Sequence, residues 1–444
     1  MISPARSAAF DILLRVEQED AYASELLHST RLDSLSQADR NLTTEIVMGV
    51  LRWRSRLDSV IAANSSRPLN KLDAEVLLAL RIAAYQILFL SRVPARAAIN
   101  ESVELVKRAH KTSAAAFVNA VLRVLSAGGP PVDVPDSAGA STASDVAEKL
   151  AHPQWLVERW ARNFGISQAE AICEYDLRVP ATAIRVEDEA VLSELKSEGV
   201  QLVAGELLTS ARVVNAGEIT QTPAFREGRV FIQDEASQLI ALLVGRGLRI
   251  LDCCAAPGSK TAAIAARNPD AAIVAAELHP HRAEILRRRV RAANVQVITA
   301  DATRLETQSD FDRVLADVPC SGTGTLARHP EIKWRLKPED LPDLQGRQVD
   351  ILRSALELLA PGGRAVYSTC SLEPEENDAV VEEVLASNQK YRLVDCRAEL
   401  EGLHVVGELA LEDFGSLLSG QYLRTLPGVH PGDGFFAAII ERVA

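Results

Sequence analysis

The sequence predicts an α/β protein: a parallel, doubly wound sheet in the carboxyl-terminal half, preceded by an all-helical segment and a small α+β module. Three observations carry this expectation. From about Gly228, strand-like apolar runs alternate with amphipathic helical stretches, the rhythm of a parallel sheet covered on both faces. Residues 1–127 show helical periodicity only. Between the two regimes, residues 128–143 (GGPPVDVPDSAGASTA) have almost nothing to bury and read as a linker.

In chain order, Ser3-Pro4 and Asp73-Ala74-Glu75 are helix openings. Leu77, Leu80, Ala84, Ile87 and Leu88 then share one helical face. The pattern continues from Ala95 to Leu125 through Ile99, Val103, Val106, Phe117 and Val121. Residues 144–227 form the small module, with a helix over Trp155–Phe164 and strands over Thr182–Val186 and Arg212–Val214. In 228–444 the strand-like runs are 248–251, 272–276, 295–299, 311–316 and 364–367, and helical patterns cover 261–267, 282–292 and 344–359. There are no internal repeats.

The 444 residues carry a net charge of -12, which excludes a wholesale basic coat for nucleic acid. The charge is uneven: residues 1–127 hold 16 Lys/Arg against 13 Asp/Glu, a net of +3, leaving -15 for the rest. An RNA partner would be met by local patches, of which 282–291, with five arginines, is one. Six cysteines in a chain this long are no disulfide scaffold, and none has zinc spacing, so no metal is expected. Asp11 and Arg15 stand where a signal peptide would be apolar, and Val76–Leu90 is interrupted by Arg81 and Gln86. A reducing cytoplasm is the expected setting and a monomer the default.

Acids end successive strands. Asp252 closes the first, Glu277 follows the second, Asp301 the third and Asp317 the fourth. Pro257-Gly258-Ser259 turns the chain from the first strand into a helix, where Gly258 can take positive φ and the helix start favours anionic groups. The turn lacks GxGxxG spacing. A ligand with ribose hydroxyls for Glu277, an adenine amino group for Asp301 and an ammonium for Asp317 fits this row, which describes S-adenosylmethionine. Any single acid could be a solvated cap; four in succession are harder to read that way. Lys260 either orients cofactor or substrate or is a solvated lysine just inside a helix, and Arg282 either touches the cofactor or belongs to the basic helix.

Two cysteines follow the fourth and fifth strands, Cys320 in Asp-Val-Pro-Cys and Cys370 in Ser-Thr-Cys. Ligands of open parallel sheets bind beyond the carboxyl ends of strands, so both thiols should face one crevice, which suggests covalent chemistry with separate attack and release roles. Either thiol alone could be a small buried hydrophobe. Cys253 and Cys254 read as packing in the cofactor turn, Cys173 and Cys396 as structural.

Several motifs resemble those of the RNA (cytosine-5) methyltransferases, and among them the RsmB (Fmu/Sun) family of bacterial 16S rRNA methyltransferases. DCCAAPGSK (252–260), ADVPCSGTGTLARHPEIKW (316–334) and YSTCSLEPEEN (367–377) look like motifs I, IV and VI. VPARAAINESVELVKR and FVNAVLR resemble NusB-type RNA-binding domains, and PGDGFFAA (431–438) the family's terminal motif. The chain departs from the pattern at Ser259, usually Gly, and at Glu277, more often Asp. The resemblance implies a Rossmann-like methyltransferase domain in which Cys254, Ala255, Ala256, Pro257, Gly258, Ser259, Lys260, Glu277, Arg282, Asp301 and Asp317 hold the cofactor. It implies that Cys370 is the nucleophile and that Cys320 assists product release. The target would be a cytosine of 16S rRNA, 967 in reference numbering for the family.

The chemistry agrees with such a pair. C5 of cytosine is a poor nucleophile, and a thiolate adding to C6 raises its electron density. Only a thiolate reacts, so a depressed Cys370 pKa is expected. The cytosine must be single-stranded or flipped out. His329, Lys333, Trp334 and Arg335 set an aromatic among cations, a pattern that can stack a base and hold phosphates, though a single Trp is more often packing. Arg52, Arg54, Arg56, Arg92, Arg96, Lys107 and Arg108 either add phosphate contacts from the helical domain or form an ordinary solvated surface. Two other readings stay open: an antitermination-type RNA-binding factor with an inactive methyltransferase domain, and the same chemistry on tRNA or DNA.

Overall fold

The computed structural model describes residues 2–19, 21–29, 32–128, 142–186, 188–307 and 310–443. Most of the linker expected at 128–143 lies outside them. Its end is earlier than expected: Thr142 caps a helix over Ala143–Lys149 through a reciprocal bond pair with Asp145. The chain divides into two compact units, Met1–Val179 with Leu326–Arg335, and Pro180–Thr325 with Leu336–Ala444.

The first unit is helical. Pro4–Gln18 starts at Ser3 with proline at its first position, and Ala74–Phe89 starts at Asp73, as the sequence signals indicate. Val76, Leu80, Ala83 and Ala84 of the second helix are buried in one cluster with Phe10, Ile46, Leu57, Leu105 and Leu122. The polar residues that interrupt its apolar run are matched inside: Arg81 forks onto Asp58 at 2.7 and 2.8 Å, and Gln86 accepts from Arg6 at 2.7 Å. The expected 95–125 stretch is two helices, Ala95–Arg108 and Ala115–Ser126. Helices over Gln154–Phe164 and Ile166–Asp176 also belong to this unit, so the module expected at 144–227 is divided at about Val179.

The second unit opens with a four-stranded sheet of order β2-β3-β1-β4, made of β1 (Thr182–Arg185), β2 (Gln201–Ala204), β3 (Ala211–Ala216) and β4 (Phe231–Ile232). All its pairings are antiparallel. Ile184, Val191, Leu192, Leu195 and Val230 form its core.

The larger sheet contains β5 (Arg249–Asp252), β6 (Ala272–Glu277), β7 (Val295–Thr299), β8 (Phe311–Asp317) and β9 (Leu359–Thr369). They lie in the order β7-β6-β5-β8-β9, all parallel. The order reverses beside β5, which pairs with β6 on one side and β8 on the other, and a ligand crevice is expected at such a switch point. Helices over Ser259–Arg267, Pro280–Arg289 and Leu341–Glu357 follow β5, β6 and the β8 loop. The sequence expectation missed the far edge. There β10 (Tyr391–Val394), β11 (Leu418–Ser419), β12 (Tyr422–Arg424) and β13 (Phe436–Arg442) add antiparallel strands, β13 lying directly against β9. Among the described residues no helix is long and apolar enough to cross a membrane, and no group of three or more His, Cys, Asp or Glu could hold a metal ion.

Candidate active site

Parallel registry brings the strand ends level. Asp252 sits opposite Ala275 and Leu315, Glu277 opposite Thr299, and Asp317 opposite Ser368. Asp252, Glu277, Asp317 and Cys370 therefore emerge from one edge of the sheet.

The turn after β5 depends on Gly258, which has φ of 110° and begins the 259–267 helix. A Cβ there would come within 2.7 Å of Val290 and 2.8 Å of Leu286, so position 258 excludes side chains twice over. Ser259, where the family pattern has glycine, is already the first helical residue, so its Cβ meets no backbone strain.

Asp252 is buried and accepts from Thr261 Oγ1 at 2.7 Å; burial lifts its carboxyl to about 7 against that bond, with Asp317 adding to the rise. Glu277, 5% exposed, accepts from the His279 backbone N–H at 2.9 Å. Arg282, itself exposed, stands 3.8 Å from it and reaches Ala256 O in the turn after β5 at 3.5 Å. Arg287 and Arg288 of the same helix pair with Glu284. Asp301 is exposed and accepts from Thr303 N and Oγ1, which hold its carboxyl below the usual range.

Asp317, the expected ammonium acceptor, has a donor on each oxygen. Lys260 Nζ donates to one at 2.8 Å and Ser368 Oγ to the other at 2.8 Å. Burial pulls the Lys260 ammonium down, but Asp317, with Cys370 and Asp252, more than restores it, and the net shift is upward. Lys260 also lies 5.1 Å from the Phe435 ring centre, a cation–π contact.

The two thiols meet. Cys320 Sγ and Cys370 Sγ are 3.2 Å apart, and the Cys370 backbone N–H donates to Cys320 Sγ at 3.3 Å. Sharing with Cys370, then burial, pushes the Cys320 thiol well up, with Glu376 adding to the rise. The Cys320 loop is held close: Gly324 N donates to Cys370 O at 2.9 Å and Gly434 N to Gly324 O at 2.7 Å. A Cβ on Gly324 would fall 2.2 Å from Gly434 O. The terminal motif thus enters the site as a brace, a role its residues did not announce. Cys253, Cys173 and Cys396 are buried, and Cys254 is half-buried.

His329, Lys333, Trp334 and Arg335 belong to the first unit and make hydrogen bonds within it. Lys333 is 1% exposed and donates to Arg52 O at 2.9 Å and Ala151 O at 2.8 Å. Trp334 Nε1 donates to Leu51 O and Arg335 to Val16 O and Ala21 O, each at 2.6 Å. His329 lies near Ser24 Oγ at 3.4 Å and edge-on to Tyr22. The donors of Lys333, Trp334 and Arg335 thus meet backbone carbonyls within the helical unit. The cause is backbone carbonyls left over at helix ends, which these donors satisfy. Arg52, buried and bonded to Ala327 O, and Arg54, forked onto Glu17, are likewise occupied.

Burial brings Lys333 down to about 7, with Asp176 and Cys173 opposing and Arg52 adding to the fall; neighbouring His152 is also held well below its usual range by burial. A neutral amine still has two N–H groups for the two carbonyls. The unfolded chain keeps this lysine protonated to about 10.4, so between about pH 7 and about pH 10 the unfolded state binds more protons and stability rises with pH. Urea unfolding of the parent and of Lys333→Met at pH 7 and at pH 9.5 should show the stability difference moving in favour of the parent as pH rises. A difference that stays constant would contradict a buried, discharged lysine.

The comparisons with known proteins agree with this architecture. Residues 240–441 match the family model for 16S rRNA methyltransferase RsmB/F, residues 3–127 that of the NusB family, and residues 152–217 that of the RsmF/B-like ferredoxin-like domain. The probable ribosomal RNA small subunit methyltransferase B of Bacillus subtilis is 36% identical over 85% of this chain and 87% of its own. Ribosomal RNA small subunit methyltransferase B of Pseudomonas putida is 34% identical over 93% of each. The crystal structure of PH0851 covers 100% of both chains with a TM-score of 0.79 at 23% identity, a likeness of fold.

Proposed function

The chain belongs to the RsmB/F family of 16S rRNA methyltransferases, and from that premise we propose that it methylates C5 of a cytosine in 16S rRNA, with S-adenosylmethionine as methyl donor. The observation that carries this reading is the pair of free thiols, 3.2 Å apart, at the ends of neighbouring parallel strands and on the same edge as the strand-end acids.

The residues present fit the donor. Glu277, buried at the end of β6 with Arg282 beside it, would take the ribose hydroxyls. Asp301 would take the adenine amino group. The Lys260–Asp317 pair, with the start of the 259–267 helix, would meet the amino-acid tail, Asp317 sharing its carboxylate between Lys260 and the ammonium. When bound, S-adenosylmethionine supplies an electrophilic methyl group.

Cys370 Sγ, as thiolate, adds to C6 of the cytosine, and the electron pair displaced from C5=C6 makes C5 nucleophilic. Lys260, held by Asp317 at 2.8 Å, keeps its positive charge with help from Asp317, Cys370 and Asp252. After C5 has gained the methyl group, its proton leaves, the C5=C6 bond re-forms and Cys370 departs as thiolate. Cys320, in contact with Cys370, assists this release. The family's target, position 967, is the expected cytosine.

The test is tritiated S-adenosylmethionine with unmodified small-subunit rRNA, followed by nucleoside analysis. Label in 5-methylcytidine is expected. Label in another nucleoside would overturn the C5 chemistry. Label in tRNA or DNA fragments but not in rRNA would overturn the substrate.

A further inference from the structure

Each thiol is flanked by anchored neighbours. Before Cys320, Pro319 O accepts from Gln348 Nε2 at 2.9 Å; after it, Ser321 N donates to Glu376 Oε1 at 2.8 Å and Ser321 Oγ to Glu376 Oε2. Before Cys370, Thr369 Oγ1 donates to Asn377 Oδ1; after it, Ser371 Oγ donates to Glu376 Oε2 and Ser371 O accepts from Asn377 Nδ2 at 2.9 Å. Gln348 Nε2 also reaches Glu376 Oε1 at 2.9 Å, and Tyr367 OH in β9 donates to the Glu376 carbonyl at 2.6 Å.

Glu376 is the junction of this arrangement. It is 0% exposed, and among the described residues no Lys or Arg pairs with it. A buried charge without a counter-ion is costly unless hydrogen bonds replace its hydration. Four donors do so here: Ser321 N, Ser321 Oγ, Ser371 Oγ and Gln348 Nε2. A carboxylate is the side chain suited to four donors, since it accepts at both oxygens and donates at neither. Charge-assisted bonds are also stiffer than neutral ones. Three of the four come from the residues immediately after the two cysteines.

We propose that Glu376 is a positioning residue that fixes the separation of the two thiols, and with it the hand-over from attack at Cys370 to release at Cys320. This rests on the reading of the two cysteines given above.

The experiment is Glu376→Gln in the full-length enzyme, assayed with labelled S-adenosylmethionine and rRNA. An amide turns an N–H toward one of the donors and loosens the junction. The expected result is a kcat lower by on the order of 10²-fold, the cost of displacing reacting groups by about an ångström. KM for both substrates should stay within about threefold, and the fraction of enzyme trapped as a covalent RNA adduct should rise. A merely structural role would lower the active fraction without trapping RNA. If Glu376→Gln does not fold, Ser371→Ala decides: it removes one donor and should move both readouts the same way by less. A folded variant with the parent's kcat and no added adduct overturns the proposal. Cys370→Ala run alongside separates the failures: if it turns over, the two-thiol reading falls; if it is dead while Glu376→Gln is unchanged, only the Glu376 role falls.

Discussion

Cys370→Ala is expected to abolish methyl transfer to RNA, a loss on the order of 10⁴-fold or more, as when other covalent nucleophiles are removed, while S-adenosylmethionine binding survives. The two halves of this expectation have separate causes. Without a sulfur at C6 nothing raises electron density at C5, and neither Lys260 nor the acids can substitute, because they position and polarise but form no bond to carbon. Cofactor binding survives because most of the residues proposed for it lie on other strands: the 254–260 turn follows β5, Glu277 ends β6 and Asp301 follows β7, with only Asp317 on β8, next to β9, whereas Cys370 follows β9. Lys260 loses a neighbour but keeps Asp317 at 2.8 Å, so the turn should hold its charge pattern. Calorimetry with S-adenosylmethionine and a tritium-transfer assay on the same preparation check both halves. Retained turnover would remove Cys370 as nucleophile; lost binding would mean that the thiol has a place in the cofactor site.

The parallel half of the fold was legible because local and global signals coincide there. Val295–Thr299 was placed residue for residue, and β5, β6 and β8 to within one at each end, since each is a short apolar run bounded by turn residues and an acid. The antiparallel edge was not legible. β10, β11 and β12 are 4, 2 and 3 residues long, too short for any period to show. β13 owes its place to β9, 67 residues away at the Phe436–Thr369 pairing. Site legibility divides in the same way. That Cys320, Cys370, Asp252, Glu277 and Asp317 share one edge of the sheet could be read because a strand end is a position that sequence can see. Glu376 could not, although YSTCSLEPEEN contains it, because its meaning lies in partners 55 and 28 residues distant. The setting of the cations at 329–335 was hidden for a related reason. Lysine and arginine are normally exposed, and nothing local reveals that Lys333 meets two carbonyls in a buried place.

Cys320→Ala is expected to leave attack intact and impair release, so that RNA accumulates bound to the protein. The argument starts from coupling. Two thiols 3.2 Å apart cannot both carry charge cheaply, and they titrate as a pair. Sharing with Cys370 is the largest cause of the upward push on the Cys320 thiol, ahead of burial. A negative charge on Cys370 thus favours a proton on Cys320. Once Cys370 is bonded to C6 it bears no charge, and that push disappears. Cys320 then becomes easier to ionise at the stage when C5 must lose its proton and the C6–S bond must break. Alanine at 320 removes the group whose acidity depends on the progress of the reaction. A denaturing gel should show a shifted, RNA-dependent band in Cys320→Ala that is absent from the parent and from the Cys320→Ala/Cys370→Ala double variant. The same band in the double variant would mean that the bond to RNA does not form at Cys370. No band, together with normal turnover, would leave Cys320 without a part in release and its contact with Cys370 as packing alone.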